Sequence, residues 1–409
     1  MGVTPPKRDF QANPPAWFRW PETKQVLDAI SEAQGTARFV GGCVRDALLD
    51  ITSDDIDICT DLIPADTIEA LEKKSIRVIS TGLAHGTVTA VINKRQFEIT
   101  TLRIDVQSHG RHADVRFTKD WHSDASRRDF TINAIYLDSL GVLYDPMGGV
   151  SDIAGGRVHF IGNPEDRIAE DRLRILRFFR FFARFGDQNP DKEAIDACRK
   201  NAQYLECLSG ERIQKELLQL LAVVDPLPAV SLMAENRILT AVLEDVPNIE
   251  LLASLLSLPF DTDNIQRLAC MLGGETKLVR RVAKKLKLSR KLEARLVGMC
   301  DIDIRKHSSE QQRKSDLYRL GKQRFIDQTL LLCAMQEGIR DLAASSDLAN
   351  NWQLPKFPVA GSELFAYGVT PGREMGLLLK KMEQRWIQSG FSLTKELLID
   401  QVLPPSLDS

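Results

Sequence analysis

The sequence predicts an α+β N-terminal domain followed by an entirely helical remainder. Short β-branched runs with period-two alternation fall between residues 37 and 144. Helical patterns alternate with them there. Beyond residue 150 nearly every segment reads as helix, joined by short proline-containing connectors such as DPLP, LPFD and LPKFP. A chain of 409 residues has the length for two to four domains and a substantial core. Hydrophobic content of 43% and charged content of 27% describe an ordinary soluble globular protein.

Residues 22–34 read as a helix leading into the short apolar strand ARFV. The stretch Ala37 to Thr60 then organises the domain: the strand breaks at Gly41 and Gly42, a short helical pattern follows, and a second strand carries Asp55 and Asp57. Alternate strand residues share a face with Cα atoms roughly 6.5 Å apart, so two carboxylates there can hold a pair of divalent cations. The glycines let phosphate oxygens approach the backbone, and Arg45 lies within a turn of them. Acidic D-x-D triplets are also common in surface turns. Here Ile56 and Ile58 alternate with the aspartates, which favours one buried face and one acid-lined face.

A helix near Pro64 to Lys74 comes next, then three strands: IRVIS, GTVTAVI and FEITTL. Glu98 in the last of these is a candidate third carboxylate; a solvent-facing strand glutamate is the alternative. The polar segment from Arg103 to Arg116 predicts a mobile loop, and its His109 and His112 read as solvated, because no cysteine or paired acid stands at ligand spacing. Residues 126–134, SRRDFTINA, predict a helix with Asp129 and Asn133 on one face, able to hydrogen-bond ribose hydroxyls while Arg128 reaches a phosphate. A salt-bridged helix start is the alternative there. VLYDPMGG predicts a strand and a glycine turn that serves as a hinge closing the first domain.

The pattern from Pro164 to Phe185 predicts one long helix, apolar on most sides, with a ladder of Asp171, Arg174, Arg177 and Arg180 at intervals of three. An internal salt-bridge strip would be poorly satisfied by one acid against three arginines, so the ladder asks for an anionic ligand such as a nucleotide. SGERIQKELLQLL predicts an amphipathic helix with Ser209 as its N-cap. Between Lys277 and Arg295 lie nine Lys or Arg against the single Glu293. Most such runs are solvated helix faces, but this concentration in an acidic chain suits a phosphate backbone. Near the end, a PG-x-x-x-G stretch opens a helix.

The net charge of −2 requires any nucleic-acid partner to be met by a local basic patch. No run of 18 apolar residues predicts a membrane span, and the proline-interrupted N-terminus reads as an arm rather than a secretion signal. Seven scattered cysteines without C-x-x-C spacing predict a reduced, cytoplasmic protein without structural zinc.

GGCVRD with DIDICT, RRDFTINA, DPMGGVSDI and EDRLRILRFFR, in this order, resemble the class II tRNA nucleotidyltransferases, the family of CCA-adding enzymes and bacterial poly(A) polymerases. The resemblance is dense over residues 37–225, and ERIQKELLQLL fits the family's next segment. It implies a nucleotidyltransferase head of mixed sheet and helices over residues 1–150, a helical nucleobase-selecting neck over 151–225, and a helical, tRNA-binding body and tail over 226–409. It also implies that Asp55 and Asp57 hold Mg2+, next to the candidate third carboxylate that the strand pattern offers at Glu98. Gly41, Gly42, Arg45 and Arg128 would contact the triphosphate, and Asp129 and Asn133 the ribose. Glu170, Asp171 and Arg174 would form the base-selecting motif, extended by Arg177 and Arg180. Arg280, Arg281, Lys284, Lys285, Lys287, Arg290 and Lys291 are the candidate RNA contacts.

The implied substrates are tRNA, CTP and ATP, with no membrane or protein partner. The implied reaction is complete CCA addition with release of pyrophosphate. A poly(A) polymerase is the alternative enzyme; the net charge and the unremarkable end SLDS argue against it. An RNA-binding scaffold with a dead head is disfavoured by the intact Asp55, Asp57, Asp171 and Arg174. Some relatives carry a C-terminal phosphohydrolase domain, but this chain has no His after His307 and no His-Asp dipeptide.

Overall fold

A computed structural model describes residues 9–403 apart from 110–111, 188, 305–308 and 337–338. The chain forms two compact units, Met1–Pro247 and Asn248–Ser409. No helix among the described residues is long and apolar enough to cross a membrane.

The first unit is built on a seven-stranded mixed sheet in the order β3-β4-β5-β2-β1-β8-β9. The strands are β1 (Ala37–Val40), β2 (Ile56–Thr60), β3 (Arg77–Gly82), β4 (Thr87–Ile92), β5 (Arg95–Thr101), β8 (Tyr136–Asp138) and β9 (Leu143–Tyr144). Only β2 and β5 pair in parallel. Helices α1 (Pro21–Glu32), α2 (Gly42–Leu48) and α3 (Pro64–Lys73) fall where the sequence predicts them. Val26, Ile30, Val44 and Leu71 from these helices join Phe39, Ile56, Ile58 and Ile99 of the sheet in one core. The period of two then turns Asp57 and Cys59 to the opposite face, where Cys59 joins Val40, Leu102 and Tyr136.

The segment expected as a loop, Arg103–Arg116, is instead a two-stranded hairpin of β6 (Arg103–His109) and β7 (His112–Phe117). A ladder satisfies backbone groups regardless of side-chain polarity, so polar composition alone argued wrongly against strands. His109 and His112 pair by backbone at its end; their side chains lie outside the described residues.

After α4 (Trp121–Ser126), the segment SRRDFTINA is not the predicted helix. Phe130 is extended and bridges Phe160, and only Thr131–Asn133 form a 3-10 turn. Next come α5 (Gly149–Ala154), α6 (Pro164–Glu170), α7 (Arg174–Phe185), α8 (Lys192–Asn201), α9 (Gly210–Leu221), α10 (Leu227–Glu235) and α11 (Ile238–Leu243). Thus the single helix predicted from Pro164 to Phe185 is two. Asp171 breaks it with an extended backbone (φ −149°, ψ 109°), and its carboxylate accepts the N–H of Leu173 at 3.1 Å. An aspartate offering its own backbone such a bond competes with the helix. The apolar pattern runs through the break because so few residues are lost. In α7 the side chains of Ile175, Leu176, Phe178, Phe179, Phe181 and Phe182 are buried, and Phe178 stacks on Phe160 with ring centroids 5.7 Å apart. Ser209 does precede α9, but its side chain makes no capping bond.

The second unit is helical: α12 (Ile249–Leu256), α13 (Asn264–Met271), α14 (Thr276–Lys285), α15 (Arg290–Cys300), α16 (Glu310–Leu320), α17 (Lys322–Gln336), α18 (Ile339–Asn351), α19 (Arg373–Gln388) and α20 (Lys395–Val402). The basic stretch spans α14 and α15, with Lys287 in the turn at φ +51°. Leu278, Val279, Val282 and Leu296 bury the inner stripe of these helices. PG-x-x-x-G opens α19, whose Met375, Met382 and Trp386 pack with Leu364 and Leu398 in a separate cluster.

Candidate active site

Asp57 sits on β2 beside Glu98, its direct partner on the parallel strand β5. Asp55 is exposed just before β2 begins, so the two aspartates flank its first residue. Burial, then Asp55 and Glu98, push the Asp57 carboxyl up to about 7, against the pull of Arg128. Negative charge is in excess there, which is the electrostatic condition for a cation. Among the described residues no group of three or more His, Cys, Asp or Glu is placed to hold a metal ion together, so Glu98 does not join the two aspartates as a third ligand. Two carboxylates with an open side fit a divalent cation that takes its remaining ligands from phosphates and water.

The turn between β1 and α2 passes through Gly41 at φ +72°, a conformation that side chains disfavour. Its N–H donates to the carbonyl of Ile135 at 3.2 Å. Arg45, buried in α2, does not reach out freely. Its Nη1 donates to Asn133 Oδ1 at 2.5 Å, its Nε and Nη2 donate to Asp46 at 2.9 and 2.8 Å, and the guanidinium lies over Phe181 and Phe185.

Although SRRDFTINA is no helix, Asp129 and Asn133 still meet: Asn133 Nδ2 donates to Asp129 Oδ1 at 2.9 Å. Arg177 donates through Nε to the other oxygen of Asp129 at 2.7 Å. Burial would raise the Asp129 pKa, but Arg177 and Asn133 outweigh it and hold the carboxylate at about 2. Arg128 donates to Asp124 and to the Tyr136 hydroxyl.

The ladder on α7 is also resolved differently from the expectation. Its arginines are not short of acids, because the acids arrive from other elements. Arg174 donates to Glu170 at 2.5 Å and to the carbonyls of Arg167 and Arg127. Arg180 lies 2.6 Å from Glu216 of α9, and Arg177 lies between Asp129 and Glu216. Asp171 accepts from Arg212 of α9 at 2.6 Å. Asp171 and Arg174 do not share one helix, since Asp171 stands in the break. The backbone nonetheless joins them: Arg174 N–H donates to the Asp171 carbonyl at 3.0 Å.

These groups line one cavity of about 650 Å³ in the first unit. It brings together Gly41, Gly42, Arg45, Asp55, Asp57, Arg128, Asp129, Asn133, Glu170, Asp171, Arg174, Arg177 and Arg180. Glu98 is not in its lining; it is exposed next to Asp57. Sequence reasoning missed His85, Thr87, Arg103, Asp105, Arg127 and Phe181, which also line it. It missed the supporting Asp124, Arg212 and Glu216 as well. Glu216 left a legible signal: it falls within the apolar stripe Ile213–Leu217–Leu220 of α9, where an acid needs a partner.

In the second unit Lys277, Arg280, Arg281, Lys284, Lys287, Arg290 and Lys291 are exposed and Lys285 is half-buried. Arg295 differs, being tied to Asp327 at 2.9 Å and Asp263 at 2.6 Å.

A mixed sheet with Asp55 and Asp57 at the start of one strand beside a glycine turn, facing an arginine-lined cavity, is the layout of a nucleotidyltransferase head. Residues 37–159 match the Poly A polymerase head domain, and residues 189–250 match the probable RNA and SrmB-binding site of polymerase A. The chain is 34% identical over 406 residues to the mitochondrial CCA tRNA nucleotidyltransferase 1 of Homo sapiens, covering 93% of this chain and 89% of that one. It is 30% identical over 373 residues to the CCA-adding enzyme of Limosilactobacillus fermentum, covering 89% and 92%. Its fold is similar to the Bacillus stearothermophilus CCA-adding enzyme solved in complex with CTP, with TM-score 0.69, 25% identity and coverage of 90% and 94%. The chain belongs to the family of CCA-adding tRNA nucleotidyltransferases.

Proposed function

We propose that this protein completes tRNA 3′ ends, transferring CMP, CMP and AMP in turn from CTP and ATP with release of pyrophosphate. The observation that carries the reading is the single cavity shared by Asp55, Asp57, the glycine turn and the Asp171–Arg174 edge. In this reading residues 1–150 are the catalytic head, 151–225 the base-selecting neck, and 226–409 a tRNA-binding body and tail.

Asp55 and Asp57 would hold magnesium. When bound, it would lower the pKa of the primer 3′-hydroxyl and offset charge on the attacked α-phosphate and the leaving pyrophosphate. The chain's own residues do the rest. Gly41 and Gly42 let the triphosphate approach the backbone, and Arg45 and Arg128 supply positive charge from rigid, already hydrogen-bonded positions. Asp129 and Asn133 present oxygen and nitrogen to the ribose hydroxyls, with Arg177 fixing Asp129.

Base choice follows from hydrogen-bond polarity. Each Asp171 oxygen keeps acceptor capacity beyond its bonds to Leu173 and Arg212 and can accept from the exocyclic amine of cytosine or adenine. Arg174 donates to the neighbouring ring nitrogen. Uracil and guanine offer a carbonyl oxygen where the amine should be, and a carboxylate repels it. The exposed basic residues of α14, α15 and their connecting turn would hold the tRNA backbone.

The test is incubation of purified protein with tRNA lacking CCA and each labelled nucleotide, singly and together. CTP alone should add two residues, ATP alone none, and the mixture should stop at CCA. Extended adenylation with ATP alone would make the protein a poly(A) polymerase.

A further inference from the structure

Behind the wall of the cavity lies a carboxylate with no role in the reading above. Asp124, near the end of α4, is fully buried. Its Oδ1 accepts from Arg127 Nε at 2.9 Å, with Arg127 Nη2 at 2.7 Å, and from the backbone N–H of Arg103 at 3.3 Å. Its Oδ2 accepts from Arg128 Nη2 at 3.0 Å and from the Tyr136 hydroxyl at 2.8 Å. Arg103, Arg127 and Arg128 all line the cavity. One buried acid therefore stands behind three of its arginines, two through their side chains and one through its backbone.

The geometry of the two guanidinium contacts is alike. Both Arg127 and Arg128 present the Nε–Nη2 edge to Asp124. Among the described residues neither Nη1 has a hydrogen-bond partner. For Arg128 that nitrogen lies at the phosphate-gripping turn, 3.9 Å from where a side chain on Gly41 would begin. The spacing of three and four residues brings both arginines onto the same acid from consecutive positions. Without it, two adjacent guanidiniums would repel each other and separate. Burial alone would favour a protonated Asp124, but Arg128 and Arg127 keep it ionised, far below the usual carboxylate range.

We propose that Asp124 is a positioning residue that orients Arg127 and Arg128 so that their free Nη1 groups meet the nucleotide triphosphate, whatever its base. This rests on the nucleotide-site reading above. The effect is on the phosphates and not on base choice, because Asp124 holds the Arg127 guanidinium, whereas Arg174 meets Arg127 only at its backbone carbonyl.

Asp124→Asn tests it while keeping volume. The amide offers one acceptor oxygen, and its NH2 faces a guanidinium donor, so at least one arginine is released. CTP and ATP affinities, measured by calorimetry without tRNA, should both fall tenfold or more, with their ratio unchanged. CMP affinity should change less than threefold. On tRNA lacking CCA, discrimination against UTP and GTP should stay as in the unaltered protein. Tyr136→Phe removes only the hydroxyl that also anchors Asp124 and should give a smaller loss of two- to threefold with the same dependence on phosphate number. This second variant decides the matter if Asp124→Asn fails to fold. CTP affinity unchanged in a folded Asp124→Asn protein, equal losses for CMP and CTP, or an unaltered triphosphate affinity in Tyr136→Phe would each overturn the proposal. Failure of the unaltered protein to extend tRNA while it still binds CTP would count against the proposed reaction alone.

Discussion

The two concentrations of positive charge in this protein are built on opposite principles. In the first unit Arg45, Arg128, Arg174, Arg177 and Arg180 each meet an acid, in the order Asp46, Asp124, Glu170, Asp129 and Glu216. In the second unit Lys277, Arg280, Lys284, Arg290 and Lys291 carry no ion pair among the described residues and stand in solvent. Paired, partly buried arginines have lost their rotamer freedom before any ligand arrives, so they suit a ligand that must be held in one geometry. Exposed unpaired cations keep that freedom and attract a polyanion by charge density. The same residue types thus serve positioning in one unit and attraction in the other.

The comparison breaks if both regions prove to act by bulk charge. The largest effect should come from the carboxylates at the centre of the paired site. Asp55→Ala or Asp57→Ala should lower transfer by about a thousandfold or more, since several kcal/mol of charge stabilisation is lost. Binding of tRNA in a filter assay should be spared. Near-normal turnover of either variant at saturating magnesium would remove the metal assignment.

Next in size is base choice. Asp171→Ala should lower CTP and ATP incorporation and raise UTP or GTP misincorporation relative to them by about tenfold, a hydrogen bond to a charged group being worth about 1.5–3 kcal/mol. Steady-state incorporation of all four nucleotides measures this. A variant that is slower but equally selective would leave Asp171 as a helix-breaking cap held by Arg212.

The exposed region should answer differently. Reversing Lys284, Lys287 and Arg290 to Glu should weaken tRNA binding by about tenfold and reduce the slope of log affinity against log salt by about two to three. Affinity for CTP should not move. If CTP and tRNA affinities fall together, the division of labour between the regions fails.

The smallest expected effect concerns stability. The folded Asp57 carboxyl titrates at about 7, above its ordinary value. Between about pH 4 and that value the folded state therefore holds a proton that the unfolded state has lost. Stability contributed by this proton is present at low pH and disappears as pH rises through the window. Metal-free protein should thus lose about 1–3 kcal/mol between about pH 5 and pH 8 that Asp57→Asn does not lose. Melting curves of both proteins with chelator measure it, and equal pH slopes would refute it. Added magnesium should restore the unaltered protein at pH 8.

Much of the site is legible in the sequence because its features are local. The glycine turn, the alternation that turns Asp57 away from Ile56 and Ile58, and the apolar face of α7 depend on neighbours a few positions apart. Backbone periodicity decides such features, and the chain carries it openly. What pairs with what was not legible. Arg180 finds Glu216, Asp171 finds Arg212 and Arg177 finds Asp129 across separations of 36, 41 and 48 residues. From the α7 ladder alone the arginines read as unbalanced, because the acids that balance them belong to other elements. The polar hairpin at β6–β7 and the break at Asp171 escaped for a related reason. Each depends on hydrogen bonds that the backbone makes, and side-chain composition does not record them. Local conformational preference is written along the chain. The neutralisation of buried charge is decided only when distant segments are brought within a few ångströms, where removal from water makes each unpaired charge costly.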